Sequence, residues 1–407
     1  MKFDSIIIGG GLSGLVAGIG LQMKGKKTLV ISSGQSALHF FSGSFELYNT
    51  EQPYTEALKE VPQTHPYAKM GVDRVLEIAS TVPEFFSHAG ITLKGSAERN
   101  HYRLTPMGVV KPAWLSLEGY ITIPEDGKFP YKTITVANLD GYLDFHTEFI
   151  AASLEQQGVK CKLCSISLPE LDYLRTNPTE MRSTNIARAI KGDVLGRLAQ
   201  KLSEAAQGTE AVLVPAVLGL DSPVNAQSLK ARTDVPVEFV ATLPPSVPGI
   251  RTQIMLKSHF QKLGGTYILG DTVIEGIFEN DILKGIRTVN HGDTVFEADT
   301  FVLASGSFFS RGLMATQEVV FEPIFNLDVD APADRGQWYS ALMFDAQPYM
   351  HFGVHTDGDF KVSRSGKTIG NLYAVGSALS GFNGIKEGCG AGVSILTALD
   401  VAEKITR

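Results

Sequence analysis

The sequence predicts an α/β protein in which a Rossmann-like nucleotide-binding domain is interrupted by an inserted α+β cap domain. Three features lead to this prediction: a strand, a glycine turn and a helix open the chain, a second glycine-rich loop and helix close it, and short proline-broken runs fill the middle. We expect residues 1–95 and 250–407 to form the nucleotide-binding domain and residues 96–249 to form the cap.

The opening segment has the pattern of a dinucleotide-binding unit. Residues 6–8 predict a buried strand, Gly9, Gly11 and Gly14 a GxGxxG turn, and residues 27–32 a second, parallel strand after a helix. Gly9 permits the chain to reverse, Gly11 permits a phosphate to approach the backbone, and Gly14 permits helix and strand to pack closely. Free amides and the helix dipole at this helix start would hold the phosphate.

The composition narrows the class of protein. The chain has 407 residues, 43% of them hydrophobic and 19% charged, and a net charge of -7 without long runs of one sign, which argues against nucleic acid as a partner. It lacks a run of about 18 apolar residues, so we expect a cytoplasmic protein without a membrane span or signal peptide. Cys161 and Cys164 form a single CxxC pair, so we expect ordinary thiols and no metal site.

Two segments in the second half of the chain are predicted to be further parts of the nucleotide-binding domain. Residues 298–306 predict a buried strand that ends in Ser305 and Gly306, where a nucleotide could come close to the backbone; the alternative is an ordinary core strand. Residues 273–289 predict an antiparallel β-meander.

The closing segment predicts a strand, a glycine-rich loop and a long helix. We expect Gly376 and Ser377 in the loop, and Gly390, Ala391 and Gly392 in the first turn of the helix, to line a redox ring. In flavoproteins of the glutathione-reductase and fumarate-reductase type, a C-terminal helix points at the pyrimidine side of the isoalloxazine ring, and its dipole stabilises negative charge there. This predicts a flavin rather than a nicotinamide.

The end of the second strand lacks the acid that usually holds an adenosine ribose. Ser32 stands where a carboxylate is expected, with Ser33 beside it. We expect both serines to be neutral donors near the phosphate turn. The missing acid favours FMN, which has no adenosine, with FAD as the alternative.

The loop after this strand is a further candidate for cofactor binding. The turn of Ser42, Gly43 and Ser44 could bring backbone amides to the flavin phosphate or ring, and Ser36 is a further candidate in the same loop. The alternative is a serine-rich helix cap.

Arginine and histidine are the candidate catalytic residues. Arg251 follows a Pro-Pro-x-x-Pro-Gly run, and we expect it to project from a helix start into the cleft between cap and nucleotide domain, where its guanidinium could bind phosphate. Alcohol oxidation needs a base for the hydroxyl proton, and His39, His351 and His355 lie in the segments expected to face the flavin. Structural roles are the alternative for each of them.

Six segments together carry a family resemblance: the glycine turn (9–14), GQSALHFFSGSFEL (34–47), LPELDYLRTNPTEMRSTNIAR (168–188), LPPSVPGIR (243–251), VLASGSFFSRGL (302–313) and AVGSALSGFNGIKEGCGAGV (374–393). The chain resembles the B subunit of anaerobic glycerol-3-phosphate dehydrogenases over nearly its whole length. The resemblance implies an FMN-containing protein that works with two partners, a catalytic one that contains FAD and a membrane-associated one that contains iron–sulfur clusters. It also implies oxidation of sn-glycerol 3-phosphate to glycerone phosphate, transfer of electrons toward quinone, and a position at the inner face of the cell membrane through the partners.

Two other functions stay open at this point. The missing acid at Ser32 would suit a scaffold protein of the same complex that carries little or no flavin. The large cap would suit an independent flavin-dependent oxidoreductase with its own small substrate.

Overall fold

The computed structural model describes residues 2–177 and 179–407. The helices are α1 (Leu12–Met23), α2 (Tyr54–Ala57), α3 (Pro66–Met70), α4 (Val72–His88), α5 (Thr147–Gln156), α6 (Asp172–Arg175), α7 (Ser183–Ala189), α8 (Asp193–Ala205), α9 (Val224–Arg232), α10 (Val247–Lys262) and α11 (Gly390–Thr406). The strands are β1 (Lys2–Ile8), β2 (Thr28–Ser32), β3 (Ser44–Phe45), β4 (Leu93–Gly95), β5 (His101–Leu104), β6 (Val110–Ala113), β7 (Leu115–Leu117), β8 (Thr122–Ile123), β9 (Thr133–Leu139), β10 (Lys160–Ile166), β11 (Ala211–Pro215), β12 (Val237–Val240), β13 (Thr266–Leu269), β14 (Val273–Glu279), β15 (Ile282–Thr288), β16 (Phe296–Leu303), β17 (Met314–Ala315), β18 (Val320–Phe321), β19 (Val329–Asp330), β20 (Gly353–Val354), β21 (Lys361–Arg364) and β22 (Lys367–Ala374).

The chain forms two compact units, each built from separate stretches of sequence. The first unit comprises Met1–Ala37, Glu46–Ala89 and Leu256–Arg407, and the second comprises Leu38–Phe45 and Gly90–Met255. The roles assigned to the nucleotide-binding domain and the cap stay predictions.

The first unit is built on a sheet whose centre is parallel, as the Rossmann-like pattern predicts. Strands β13, β2, β1, β16 and β22 pair in parallel in that order. The predicted meander is confirmed, because β14 and β15 pair antiparallel and β15 joins the edge of β16. The parallel strands β1 and β2 are almost wholly buried, which explains their uninterrupted apolar sequence.

Helix α1 packs against α11 as well as against the sheet. A Cβ built at Gly18 would lie 3.2 Å from Val30 and 3.3 Å from Ile7, and one at Gly20 would lie 3.1 Å from Ala402. The two glycines therefore allow α1 to sit close to the sheet on one side and to α11 on the other.

The second unit contains a parallel sheet that the sequence analysis did not anticipate. Strands β10, β9, β11 and β12 are all parallel, and short antiparallel sheets of β3, β7 and β4 and of β6, β5 and β8 accompany them. The short strands agree with the α+β pattern expected for the cap. Strand β10 follows β9 directly after α5, but β11 and β12 come much later in the sequence, so the sheet as a whole has no local signal.

None of the helices within residues 2–177 and 179–407 has both the length and the apolar character that a membrane span requires.

Candidate flavin site

The first glycine turn has the steric constraints that its spacing predicts. Gly9 has φ +117°, and a Cβ there would overlap the carbonyl oxygen of Ala304 at the end of β16. A Cβ at Gly14 would overlap the carbonyl oxygen of Gly9. Gly9 and Gly14 are therefore required for the turn and for the packing of α1 on it.

Gly11 differs, because the space in front of it is open. It is the N-cap of α1 with φ -77° and supplies no side-chain cap, and a Cβ there would have only the Cβ of Ser36 within reach, at 3.9 Å. In the described part of the chain, the amides of Gly11, Leu12 and Ser13 have no hydrogen-bond acceptor. Unpaired amides at a helix start, together with the helix dipole, form an anion site.

Gly376 lies close to both of the glycine-rich helices, α1 and α11. Gly376 has φ +67°, and its amide donates to Oγ1 of Thr397 on α11 at 3.0 Å. A Cβ at Gly376 would lie 2.6 Å from Oγ of Ser13, in the first turn of α1, and 3.4 Å from Oγ of Ser394, near the start of α11. Gly376 therefore lies against the first turn of α1 and the second turn of α11, with no room for a larger residue.

The start of α11 corrects one expectation. The amide of Gly392 is not free, because it donates to the carbonyl of Glu46 at 2.9 Å, and a Cβ there would overlap the hydroxyl of Tyr67. The amide of Gly390 makes a long bond of 3.4 Å to the carbonyl of Gly384. The amide of Ala391 has no acceptor among the described residues, so it is the donor that this turn offers to a ligand.

Ser305 carries an unpaired hydroxyl beside the first glycine turn. Its Oγ is buried and has no hydrogen-bond partner among the described residues, while its amide nitrogen would lie 3.1 Å from a Cβ at Gly9. The next residue, Gly306, leaves no room for a Cβ because Oγ of Ser310 lies against it. Buried hydroxyls are almost always hydrogen-bonded, so this one is a candidate contact for a polar atom of a ligand. Ser377, after Gly376, is half-buried.

The end of β2 differs from the expected pair of neutral donors. Ser32 is buried, and its hydroxyl donates to the carbonyl of Gly34 at 3.1 Å, whereas Ser33 is exposed. Tyr267 on β13 fills the adjacent space, since a Cβ at Gly10 would overlap its hydroxyl and lie 2.5 Å from the Cβ of Ser32. Burial raises the pKa of Tyr267. The hydroxyl of Ser32 is therefore already engaged within the protein.

Three candidates in the following loop belong to the second unit and have roles within it. The hydroxyl of Ser44 is buried and shares a hydrogen bond of 2.7 Å with Oγ of Ser116. Ser42 donates to the carbonyl of Ser44 at 3.2 Å, and Gly43 lies directly against the ring of Tyr120. The side chain of Ser44, on β3, is therefore engaged within the second unit, and the role predicted for the backbone amides of this turn stays a prediction. Ser36, in the first unit, is half-buried near Gly11.

The candidate histidines have different surroundings. Nδ1 of the exposed His355 pairs with Oδ1 of Asp330 at 2.9 Å, and Nδ1 of the exposed His351 lies 4.0 Å from Oε1 of Glu387. Burial lowers the pKa of His39 against the raising effect of a hydrogen bond with Gln253. His39 is thus the one that burial favours in the neutral form that a base requires.

Arg251 does not lie where the sequence suggested. Helix α10 begins at Val247, so Arg251 lies inside the helix rather than at its start. Its Nη1 donates to the carbonyls of Leu218 and Gly219 at 2.9 and 2.6 Å. The guanidinium lines a cavity whose walls belong wholly to the second unit. Tyr120 lines the same cavity, and sequence reasoning missed it.

Sequence reasoning also missed a buried cluster before α11. One ligand-type atom each of His65, Glu387 and Cys389 lies within 4.8 Å of the others. Nδ1 of His65 accepts from the amide of Tyr67 at 3.0 Å, so the ring proton is on Nε2, which faces Glu387 at 3.2 Å. Burial acts to raise the pKa of Glu387, but this hydrogen bond and others lower it overall. The cluster is satisfied internally; only the tertiary fold reveals it, because His65 is far away in sequence.

The first unit therefore has the features that a flavin needs. The free amides at the start of α1 suit a phosphate, the unpaired Ser305 hydroxyl suits a polar atom of the ligand, and the start of α11 lies next to that of α1.

Comparison with known proteins agrees with this geometry. A family described as FAD binding domain matches residues 4–393. The B subunit of anaerobic glycerol-3-phosphate dehydrogenase from Yersinia enterocolitica is 42% identical, covering 100% of this chain and 98% of that protein. The protein of the same name from Pectobacterium carotovorum is 40% identical, covering 100% of this chain and 99% of that protein.

A solved structure is also similar, although only distantly. 3-Ketosteroid Δ1-dehydrogenase from Sterolibacterium denitrificans has a TM-score of 0.48 and 12% identity, covering 100% of this chain and 99% of that chain. The family assignment depends on the sequence relatives and the domain match instead. The chain belongs to the FAD binding domain family and, within it, to the family of anaerobic glycerol-3-phosphate dehydrogenase B subunits.

Proposed function

We propose that this protein is the flavin-bearing B subunit of an anaerobic glycerol-3-phosphate dehydrogenase. The complex would oxidise sn-glycerol 3-phosphate to glycerone phosphate and pass electrons toward quinone. The observation that carries the proposal is the set of free amides at the start of α1, together with the unpaired hydroxyl of Ser305 and the contact of Gly376 with both Ser13 on α1 and Ser394 on α11. The names of the sequence relatives supply the substrate.

The cofactor we propose is FMN, with FAD as the alternative. Ser32 and Tyr267 occupy the corner at the end of β2 where dinucleotide-binding folds hold an adenosine ribose with an acid. The family match favours FAD instead, because the family is described as FAD binding. Denaturing the purified protein and measuring the mass of the released flavin by mass spectrometry distinguishes FMN from FAD.

The residues of this chain would bind and orient the flavin. The amides of Gly11, Leu12 and Ser13 would bind its phosphate, and Oγ of Ser305 would donate to or accept from a polar atom. The dipole of α11, with the free amide of Ala391, would stabilise negative charge on the ring. When bound, the flavin supplies a two-electron acceptor that no side chain offers.

The proton acceptor for the alcohol is a separate part of the proposal. His39, His351 and His355 are the candidates in this chain, and His39 has the lowered pKa that keeps an imidazole neutral near pH 7. If a catalytic partner oxidises the alcohol, this chain needs no base, and its flavin relays electrons.

The partners we propose are a catalytic protein that contains FAD and a membrane-associated protein that contains iron–sulfur clusters. The relatives are named as one subunit of a dehydrogenase, which supports a complex with other subunits. We propose that these partners hold the chain at the inner face of the cell membrane.

Anaerobic reconstitution tests the relay. Purified chain is mixed with the FAD-containing catalytic partner, glycerol 3-phosphate is added, and the absorbance of the flavin of this chain is followed. We expect that absorbance to bleach. Persistent oxidised absorbance while the complex turns over would reject the relay and favour a scaffold role, which the filled corner at Ser32 and Tyr267 also suits.

A further inference from the structure

The second unit contains a cavity of about 540 Å³ that the flavin site does not explain. Its walls include α10, α9 and the segment around Gly119, and every residue that lines it belongs to the second unit. Ligand sites for small molecules commonly have volumes of about 300–1,000 Å³. The cavity is therefore large enough for a small metabolite.

An uncompensated cation lines this cavity. Arg251 is only 9% exposed, and within residues 2–177 and 179–407 no carboxylate pairs with it. Its Nη1 donates to the carbonyls of Leu218 and Gly219, while Nε and Nη2 have no acceptor in that part of the chain. Desolvation lowers its pKa. A buried charge without a counter-ion is costly, and an anionic ligand would remove that cost.

A second polar group lines the same cavity without a partner. Tyr120 is 6% exposed, and its hydroxyl is buried and makes no hydrogen bond to any described residue. Its ring is held between Gly43 and Phe239, whose ring centroid lies 6.5 Å away. Burial raises the pKa of Tyr120, and the charge of Arg251 acts in the opposite direction. The hydroxyl is therefore protonated at neutral pH and has no acceptor among the described residues.

The other charged groups around the cavity are more exposed. Lys230 is already paired with Glu238 at 3.3 Å, and Lys94 and Glu118 are both exposed. Because these groups carry charges of both signs, they largely cancel one another. Among the described residues, Arg251 is therefore the charged group of this cavity that is both buried and unpaired. The recognition of an anion would therefore centre on Arg251 and Tyr120.

We propose that this cavity binds the phosphate of a small polyol phosphate, with Arg251 and Tyr120 donating to its oxygens. The planar guanidinium suits phosphate oxygens, and Thr92 and Gln227 in the wall can hydrogen-bond hydroxyl groups. The choice of glycerol 3-phosphate as the ligand rests on the proposed function, whereas the anion site itself rests on the two unpaired groups.

Isothermal titration of the flavin-loaded full chain tests the proposal. The probes are glycerol 3-phosphate, inorganic phosphate and glycerol. We expect glycerol 3-phosphate to bind more tightly than phosphate, and glycerol not to bind. Arg251→Lys keeps the positive charge but loses the planar guanidinium, and it should weaken binding of glycerol 3-phosphate at least about tenfold. Tyr120→Phe should weaken the same binding about threefold or more.

The matched control is Arg197→Lys, on α8 of the same unit. Arg197 is 46% exposed and pairs with Glu170, so its replacement should leave the affinity unchanged. Tyr120→Phe keeps the test decisive if Arg251→Lys fails to fold, since it removes one oxygen that no described residue contacts. Equal affinity for wild type and Tyr120→Phe, or no binding of either phosphate-containing probe, would overturn the proposal.

The outcome for the complex is separate from the outcome for this cavity. Bleaching of the flavin by substrate, together with no binding of glycerol 3-phosphate to this chain, would reject the cavity proposal and leave the proposed function standing. Binding of glycerol 3-phosphate that depends on Arg251, without any bleaching of the flavin, would support the cavity proposal and reject the electron relay of the proposed function.

Discussion

Replacing Gly11 with alanine should separate cofactor binding from folding. Gly11 has φ -77°, which any L-residue adopts, and the new Cβ would have only the Cβ of Ser36 within reach, at 3.9 Å. We therefore expect Gly11→Ala to change the free energy of unfolding of the flavin-free chain by less than about 1 kcal/mol.

The same methyl group should interfere with the flavin phosphate. It would stand beside the free amides of Gly11, Leu12 and Ser13. A hydrogen bond to a charged group contributes about 1.5–3 kcal/mol, so losing one weakens flavin binding by roughly 10- to 150-fold.

Titration of flavin into the flavin-free protein, followed by fluorescence quenching, measures the affinity, and urea unfolding measures the stability. Gly34→Ala is the matched control, because a Cβ there has nothing within 4 Å. If Gly11→Ala binds flavin as tightly as Gly34→Ala does, the phosphate does not contact this helix start.

Local contacts lead to three further predictions. Gly376→Ala should lower the thermal midpoint and flavin retention more than Gly366→Ala, since both glycines have positive φ but only a Cβ at Gly376 meets Ser13; equal effects of the two changes would contradict the convergence of the helix starts. Ser305→Ala should leave the flavin-free protein at least as stable as wild type, as measured by urea unfolding, and weaken flavin binding in the fluorescence titration; unchanged affinity would remove Ser305 from the site. Burial lowers the pKa of His101 from 6.5 to about 4, so as pH falls the unfolded chain takes up a proton on this histidine before the folded chain does. The free energy of unfolding should therefore fall by up to about 3 kcal/mol as pH drops from 6.5 to 4. Urea titrations should show part of this slope lost in His101→Gln, and an unchanged slope would refute the assignment.

The parts of the fold that could be predicted from sequence are those with a local signal. The GxGxxG turn places Gly9 and Gly14 where only glycine fits, and the apolar runs around it directly indicate β1 and β2. The meander of β14 and β15 was also local, since its turn residues lie between two short strands.

What the sequence could not predict depends on contacts between distant residues. The amide of Gly392 is engaged by Glu46, and the space beside Ser32 is filled by Tyr267. Nothing near Arg251 in the sequence indicates that its partners are the carbonyls of Leu218 and Gly219. Such pairings arise from the tertiary fold, which single-sequence patterns do not encode.

The most direct test of the central claim is an experimental density map of the protein with its flavin bound. We expect density for one flavin whose phosphate contacts the amides of Gly11 to Ser13, and whose ring lies near Gly376 and the start of α11. A flavin bound elsewhere, or helix starts that meet without any flavin between them in an active complex, would contradict the account.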